Sequence, residues 1–122
     1  MRLLRERARS FRHAFRGLGL LLRQPNAVIH LLAAFATIGL AAFLRVRGGD
    51  WIALIFAITL VLAAEAINTA LERVVDLASP EWSALARDAK DLAAACVLVC
   101  AIGAVCIGLI VFWPYLVASA AG

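Results

Sequence analysis

Charge is missing from three long stretches of this chain. No charged residue occurs in AVIHLLAAFATIGLAAFL (27–44), in WIALIFAITLVLAA (51–64), or anywhere from Leu92 to the C-terminus. With 65% hydrophobic residues and a mean hydropathy of +0.95, the chain has too few polar side chains to cover a small soluble domain. A soluble globular protein is therefore excluded. A spanning helix needs about 20 predominantly apolar residues, and the first and third stretches qualify directly. The second qualifies only if helix continues through the acidic segment AEAINTALERVVD (64–76), whose polar groups must then reach an interface or face protein.

Other absences narrow the reading further. Cys96, Cys100 and Cys106 all lie in the third stretch, and no CxxC or Cys/His spacing suggests a metal or redox site. Together with Ala104 and Gly108, Cys96 and Cys100 form a row of small residues at every fourth position, which suits close helix packing in lipid. There is no repeat, low-complexity tract or linker, so residues 1–122 read as one domain. A cleavable signal peptide is not expected, because the first apolar tract begins late and lacks a cleavage-like ending.

What the chain has in plenty is arginine at its start. Seven of the twelve basic residues precede the first span: Arg2, Arg5, Arg7, Arg9, Arg12, Arg16 and Arg23. The positive-inside rule then places the N-terminus in the cytoplasm, outweighing Arg45 and Arg47 in the external turn RVRGGD. Leu4, Ala8, Phe11, Phe15, Leu18 and Leu22 recur at alternating spacings of four and three, one narrow apolar stripe beside an arginine face. Such a helix suits the headgroup layer. The regular stripe argues against an arginine-rich nucleic-acid arm, and no nucleic-acid partner is expected.

Punctuation sets the elements. Pro25 ends this helix or starts the next, Gly48-Gly49 is expected to supply the turn between spans one and two, and Ser79-Pro80-Glu81 fits a helix start. The expected fold is an all-α membrane protein: an N-terminal amphipathic interfacial helix (1–25) and three transmembrane helices over 26–46, 51–77 and 90–118.

The acidic segment is the informative one. At 100° per residue, Glu65, Asn68, Glu72 and Asp76 fall within about 80° of one another on a helix. Even on insertion scales an ionised carboxylate facing lipid costs at least about 2.5 kcal/mol, so the stripe must face protein, a wet cavity or the interface. Clustered carboxylates repel unless a cation intervenes, and the cations at hand are Arg73, Arg87, Lys90 or a divalent metal. Carboxylate and amide oxygens suit Mg²⁺, which typically takes one or two carboxylates plus substrate phosphates. Lys90, in RDAKD just before span three, is a point charge suited to phosphate. The set reads as a place for phosphoryl transfer at the bilayer surface. A plainer reading stands beside it: Glu72 and Asp76 solvated at the span's end and paired with Arg73 or Arg87, and His30 an interfacial histidine.

EAINTALERVVDL followed by ARDAKDLAAACVL resembles the bacterial integral-membrane lipid kinases, the diacylglycerol kinase and undecaprenol kinase family. That family carries E-x-x-N-[ST]-A-[IL]-E-x-x-V-D and a later A-K-D before its last span. The chain lacks a P-loop and the HRD and DFG motifs of soluble kinases, as this family does. The resemblance implies ATP and a membrane lipid as substrates, Mg²⁺ as cofactor, the bacterial inner membrane as location, and a homotrimer with sites between subunits. It implies Glu65 as the general base and Asn68 as a residue orienting the reacting groups. Glu72 matches the carboxylate that binds the metal–nucleotide. Lys90 and Asp91 match the pair on ATP, Glu81 the nucleotide-lining loop, and Asp76 the end of the same motif. Asn26 and His30, in NAVIH, lie where the family admits its lipid.

Two departures stand out. Gln24 occupies the position of the family's second metal-binding glutamate, two residues before the asparagine of N-x-x-[IF]-H; its amide oxygen offers less charge to Mg²⁺. The arginine-rich helix is one residue short of relatives, so its ATP contacts are not assigned to positions here. Between the two lipids, NAVIH and GLIVFWPYL resemble the undecaprenol-kinase branch. Two other classes remain as alternatives: a small proton- or cation-coupled transporter using Glu65, and a non-catalytic membrane interaction protein.

Overall fold

In the computed structural model, which describes residues 2–120 (side chains over 5–119), the chain is all-helical: α1 (Arg2–Leu21), α2 (Pro25–Phe43), α3 (Gly48–Ala78) and α4 (Ala84–Ala120). The last three are long and apolar enough to cross a membrane. Their outward residues are large and apolar, among them Phe35, Phe43, Ile52, Ile102 and Ile110. Thr37 and Thr59 donate to the carbonyls of Ala33 and Ile55 at 2.8 Å, which satisfies hydroxyls on helices otherwise suited to lipid. The stripe residue Leu4 lies outside the described side chains; the rest of that stripe, Phe11, Phe15, Leu18 and Leu22, is exposed on the single chain.

α3 is the hub. It packs along α4, more briefly against α2, and lightly against α1. Ala27, Ala34 and Ala41, at seven-residue spacing, form the buried stripe of α2, and such small side chains let helices approach closely in lipid. The buried face of α3 begins with Leu54, Ala57, Val61 and Ala64 and continues, on the same side, into Glu65, Asn68 and Thr69. One helical face thus serves as core over its first half and as polar site over its second.

The turn between α2 and α3 differs from the glycine turn expected. Gly48 and Gly49 open α3, and no described glycine adopts a positive φ. The chain reverses two residues earlier, at Leu44 and Arg45. The Val46 N–H donates to the Ala41 carbonyl at 3.0 Å and the Arg45 N–H to the Ala42 carbonyl at 3.2 Å, the paired bonds of a Schellman closure. Arg45 thereby takes φ 52°, a left-handed geometry that costs a residue with a side chain roughly 1–2 kcal/mol. The offset is packing: Val46 and Ala41 lie in one buried cluster with Leu54 and Val111. Pro25 starts α2, with Gln24 extended before it.

The start of α4 also shifts. Ser79 is taken up closing α3, its N–H on the Val75 carbonyl at 2.8 Å, and its hydroxyl donates to the Glu81 carbonyl at 3.1 Å. Ser83 caps α4 instead: its Oγ accepts the Ala86 N–H at 3.4 Å. From Ala84 the helix runs unbroken through Ala120.

Two polar ties join α3 to α4. Near the α2–α3 turn, the Tyr115 hydroxyl donates to Asp50 Oδ2 at 2.6 Å and accepts the Arg47 N–H at 3.0 Å. Near the α3–α4 loop, Lys90 Nζ pairs with Asp76 Oδ1. At 1.5 Å per residue the ties are about 38 Å apart along either helix, and a hydrocarbon layer of about 30 Å fits between them.

Candidate active site

The residues singled out in the sequence gather at the loop end. Asn26 and His30 from the start of α2, Glu65 and Asn68 from α3, and Ala94 and Val97 from α4 line a cleft of about 210 Å³. A second cleft, of about 340 Å³, takes Asp76, Glu81, Trp82, Lys90 and Asp91 into its walls. Glu72 lies between the two, one turn from Asn68 and one turn from Asp76. Asn68 Nδ2 donates to Glu72 Oε1 at 3.2 Å, which links the inner cleft to the outer. Gln24 is half-buried ahead of α2 and lines neither cleft.

Burial grades along the stripe. Glu65 is 2% exposed and Asn68 5%, whereas Glu72 is half-buried and Asp76 exposed. Among the described residues no hydrogen bond or ion pair reaches the Glu65 carboxylate, and Asn68 Oδ1 is buried without a partner. Buried oxygens left this way are costly unless a ligand completes them. Their chemistry, acceptor-only oxygens beside the Glu72 carboxylate, fits a hydroxyl proton or a hard cation. No three His, Cys, Asp or Glu side chains gather at metal-binding distance among the described residues. Ligand oxygens would therefore have to complete any Mg²⁺ shell begun by Glu72.

The ion pairing corrects one expectation. Asp76 is held by Lys90, from the far side of the loop, rather than by Arg73 or Arg87. Arg87 instead faces Asp91 at 3.6 Å, one turn along α4. This pairing joins the two family motifs, with the aspartate of the first gripping the lysine of the second.

The inner cleft also opens toward the middle of the membrane helices. An apolar groove of about 240 Å³ shares His30 and Ala101 with it and continues past Ala34, Thr37, Ala104 and Gly108. A Cβ added at Gly108 would meet nothing within 4 Å, so the small-residue row of α4 packs no helix of its own chain there. Sequence reasoning missed the groove, Trp82 on the outer rim, and the Asp50–Tyr115 tie. Tyr115 is the chain's one tyrosine, but no local spacing connects it to a partner 65 residues away.

Residues 12–112 match the family model described as prokaryotic diacylglycerol kinase. Undecaprenol kinase of Bacillus subtilis is 35% identical over 109 residues, covering 88% of this chain and 89% of that protein. Diacylglycerol kinase of Synechocystis is 40% identical over 101 residues, which cover 81% of this chain and 58% of the relative. Diacylglycerol kinase of Escherichia coli is 35% identical over 91 residues, 68% of this chain and 75% of that protein. The chain belongs to the prokaryotic diacylglycerol kinase family and is a multi-pass integral-membrane lipid kinase.

Proposed function

We propose that this kinase transfers the γ-phosphate of ATP to the hydroxyl of undecaprenol, in preference to diacylglycerol, at the cytoplasmic face of the bacterial inner membrane. The observation that carries the reading is the order of groups along one face. An apolar groove leads to buried Glu65 and Asn68, and the Lys90–Asp76 cleft follows beyond Glu72. A lipid tail suits the groove, phosphates suit the lysine, and the hydroxyl between them meets Glu65. Alignment with the Bacillus undecaprenol kinase over most of both chains supports the polyprenol acceptor. A proton- or cation-coupled transporter has no use for the lysine cleft.

In this reading Glu65 takes the hydroxyl proton as the lipid oxygen bonds to the γ-phosphorus, and ADP leaves with the electron pair of the broken bond. Asn68, its amide fixed on Glu72, turns Oδ1 to the hydroxyl and holds it for attack. Lys90 exchanges Asp76 for the phosphates and offsets their charge. Trp82, exposed on the rim, offers an indole face for the base. Glu72 would hold Mg²⁺, with Gln24 as a weaker second oxygen donor, and the ion would screen the β- and γ-phosphates. The N-terminus lies in the cytoplasm with α1 in the headgroup layer. Three copies assemble, and the uncovered row at Ala104 and Gly108 suits packing between them.

Purified protein in mixed micelles with Mg-ATP and each lipid tests the reading. Phosphorylated undecaprenol should form, and Glu65→Gln should lower the rate at least about a hundredfold. Well-folded protein that phosphorylates neither acceptor would overturn the reading. Full turnover in Glu72→Gln would remove the metal assignment alone.

A further inference from the structure

α1 has three sides. Gly17, Leu20 and Leu21 approach Ala66, Thr69, Ala70 and Arg73 of α3, and Leu21 is buried there. Phe11, Phe15 and Leu18 make an exposed apolar side turned about 130° from the first. On the third side, Arg5, Arg9, Arg12 and Arg16 fall within about 60° of arc at 100° per residue. All four are exposed, and among the described residues no carboxylate pairs with them. Arg7 alone points elsewhere on this helix.

Four unpaired guanidinium groups on three successive turns repel one another, which disfavours the helix unless anions lie alongside. The apolar side fixes where those anions can be. If Phe11, Phe15 and Leu18 dip into the acyl boundary, the arginine side, about 120° around the helix, lies at the level of lipid phosphates. Guanidinium forks match phosphate oxygens in pairs. We infer that the Arg5/Arg9/Arg12/Arg16 row is a docking surface for anionic lipid headgroups. It makes the enzyme's seating in the bilayer depend on the charge of the leaflet. The inference rests on the proposed interfacial placement of α1, but not on which lipid is phosphorylated.

Full-length protein in detergent, given equimolar phosphatidylglycerol and phosphatidylcholine and then gel-filtered, provides the test, with retained lipid counted by mass spectrometry. Phosphatidylglycerol should be enriched roughly fivefold or more, since one basic residue near a membrane surface contributes about that factor. Enrichment should fall toward one in 0.5 M salt and in a variant with Arg5, Arg9, Arg12 and Arg16 all changed to Gln. It should survive Arg7→Gln. Circular dichroism checks the fold of each variant, and the salt series on unaltered protein decides the matter should the fourfold variant misfold. Equal retention of the two lipids, or enrichment indifferent to salt, would overturn the inference. So would release of phosphatidylglycerol by Mg-ATP or by an oligonucleotide, which would assign the row to nucleotide or nucleic acid. A Phe11→Ser/Phe15→Ser variant that retains as much total lipid as unaltered protein would instead show α1 off the membrane, and the placement itself would fail.

Discussion

At the turn end of the α3–α4 pair, Asp50, Tyr115 and the Arg47 N–H close over a cluster of Ala41, Val46, Leu54 and Val111. At the loop end, Asp76 and Lys90 form a matching tie, but clefts open on both sides of it and the neighbouring polar oxygens lack partners. The same two helices carry both ends, so helix length and composition do not explain the contrast. What differs is satisfaction. The turn end completes its polar groups internally, and the loop end leaves them for a ligand. A tie with every partner supplied holds structure together, whereas a tie beside an empty cleft can be exchanged for phosphate.

Substitutions can break this contrast or refine it. The largest effect belongs to Glu65→Gln, which should remove at least about two orders of magnitude of lipid phosphorylation while leaving the thermal midpoint near that of the parent. A large loss of thermal stability in that variant would mean that the loop end is structural after all. Lys90→Gln should cost roughly ten- to a hundredfold in kcat/KM for ATP, the worth of a charge-assisted hydrogen bond of about 1.5–3 kcal/mol. Varying ATP at saturating lipid checks this. At the turn end the pattern should invert. Tyr115→Phe leaves Asp50 and the Arg47 N–H without their partner and should cost about 1–3 kcal/mol of stability, read as faster thermal inactivation in detergent with KM for ATP unchanged. The smallest effect is a gain: Arg45→Gly relieves the left-handed strain and should add about 0.5–1 kcal/mol, after the greater freedom of glycine in the unfolded chain is set against it.

Much of the loop end was legible in the sequence because it is written in local periodicity. Glu65, Asn68, Glu72 and Asp76 declare one helical face by their spacing alone, and NAVIH and AKD sit near helix starts that bring them to that face. The turn end was not legible in this way. Gly48-Gly49 looked like the reversal, but Arg45 takes it because burial of Val46 against Ala41 outweighs a local preference. Ser79 looked like a cap, but closing α3 takes it first and Ser83 serves α4. Asp50 and Tyr115 meet only because two antiparallel helices are in register, and no window of sequence contains both. The partner of Asp76 was missed for the same reason: Arg73 is near in sequence, whereas Lys90 is near in space.

The spacing of the two ties has a consequence for the membrane this enzyme can inhabit. With charged anchors about 38 Å apart on rigid helices, the α3–α4 pair acts as a caliper. An oily layer of about 30 Å slides between its jaws, but one that approaches the full gap would draw Asp50 or Lys90 into hydrocarbon. Activity across vesicles of increasing acyl length should hold on a plateau and then drop once the layer outgrows the gap.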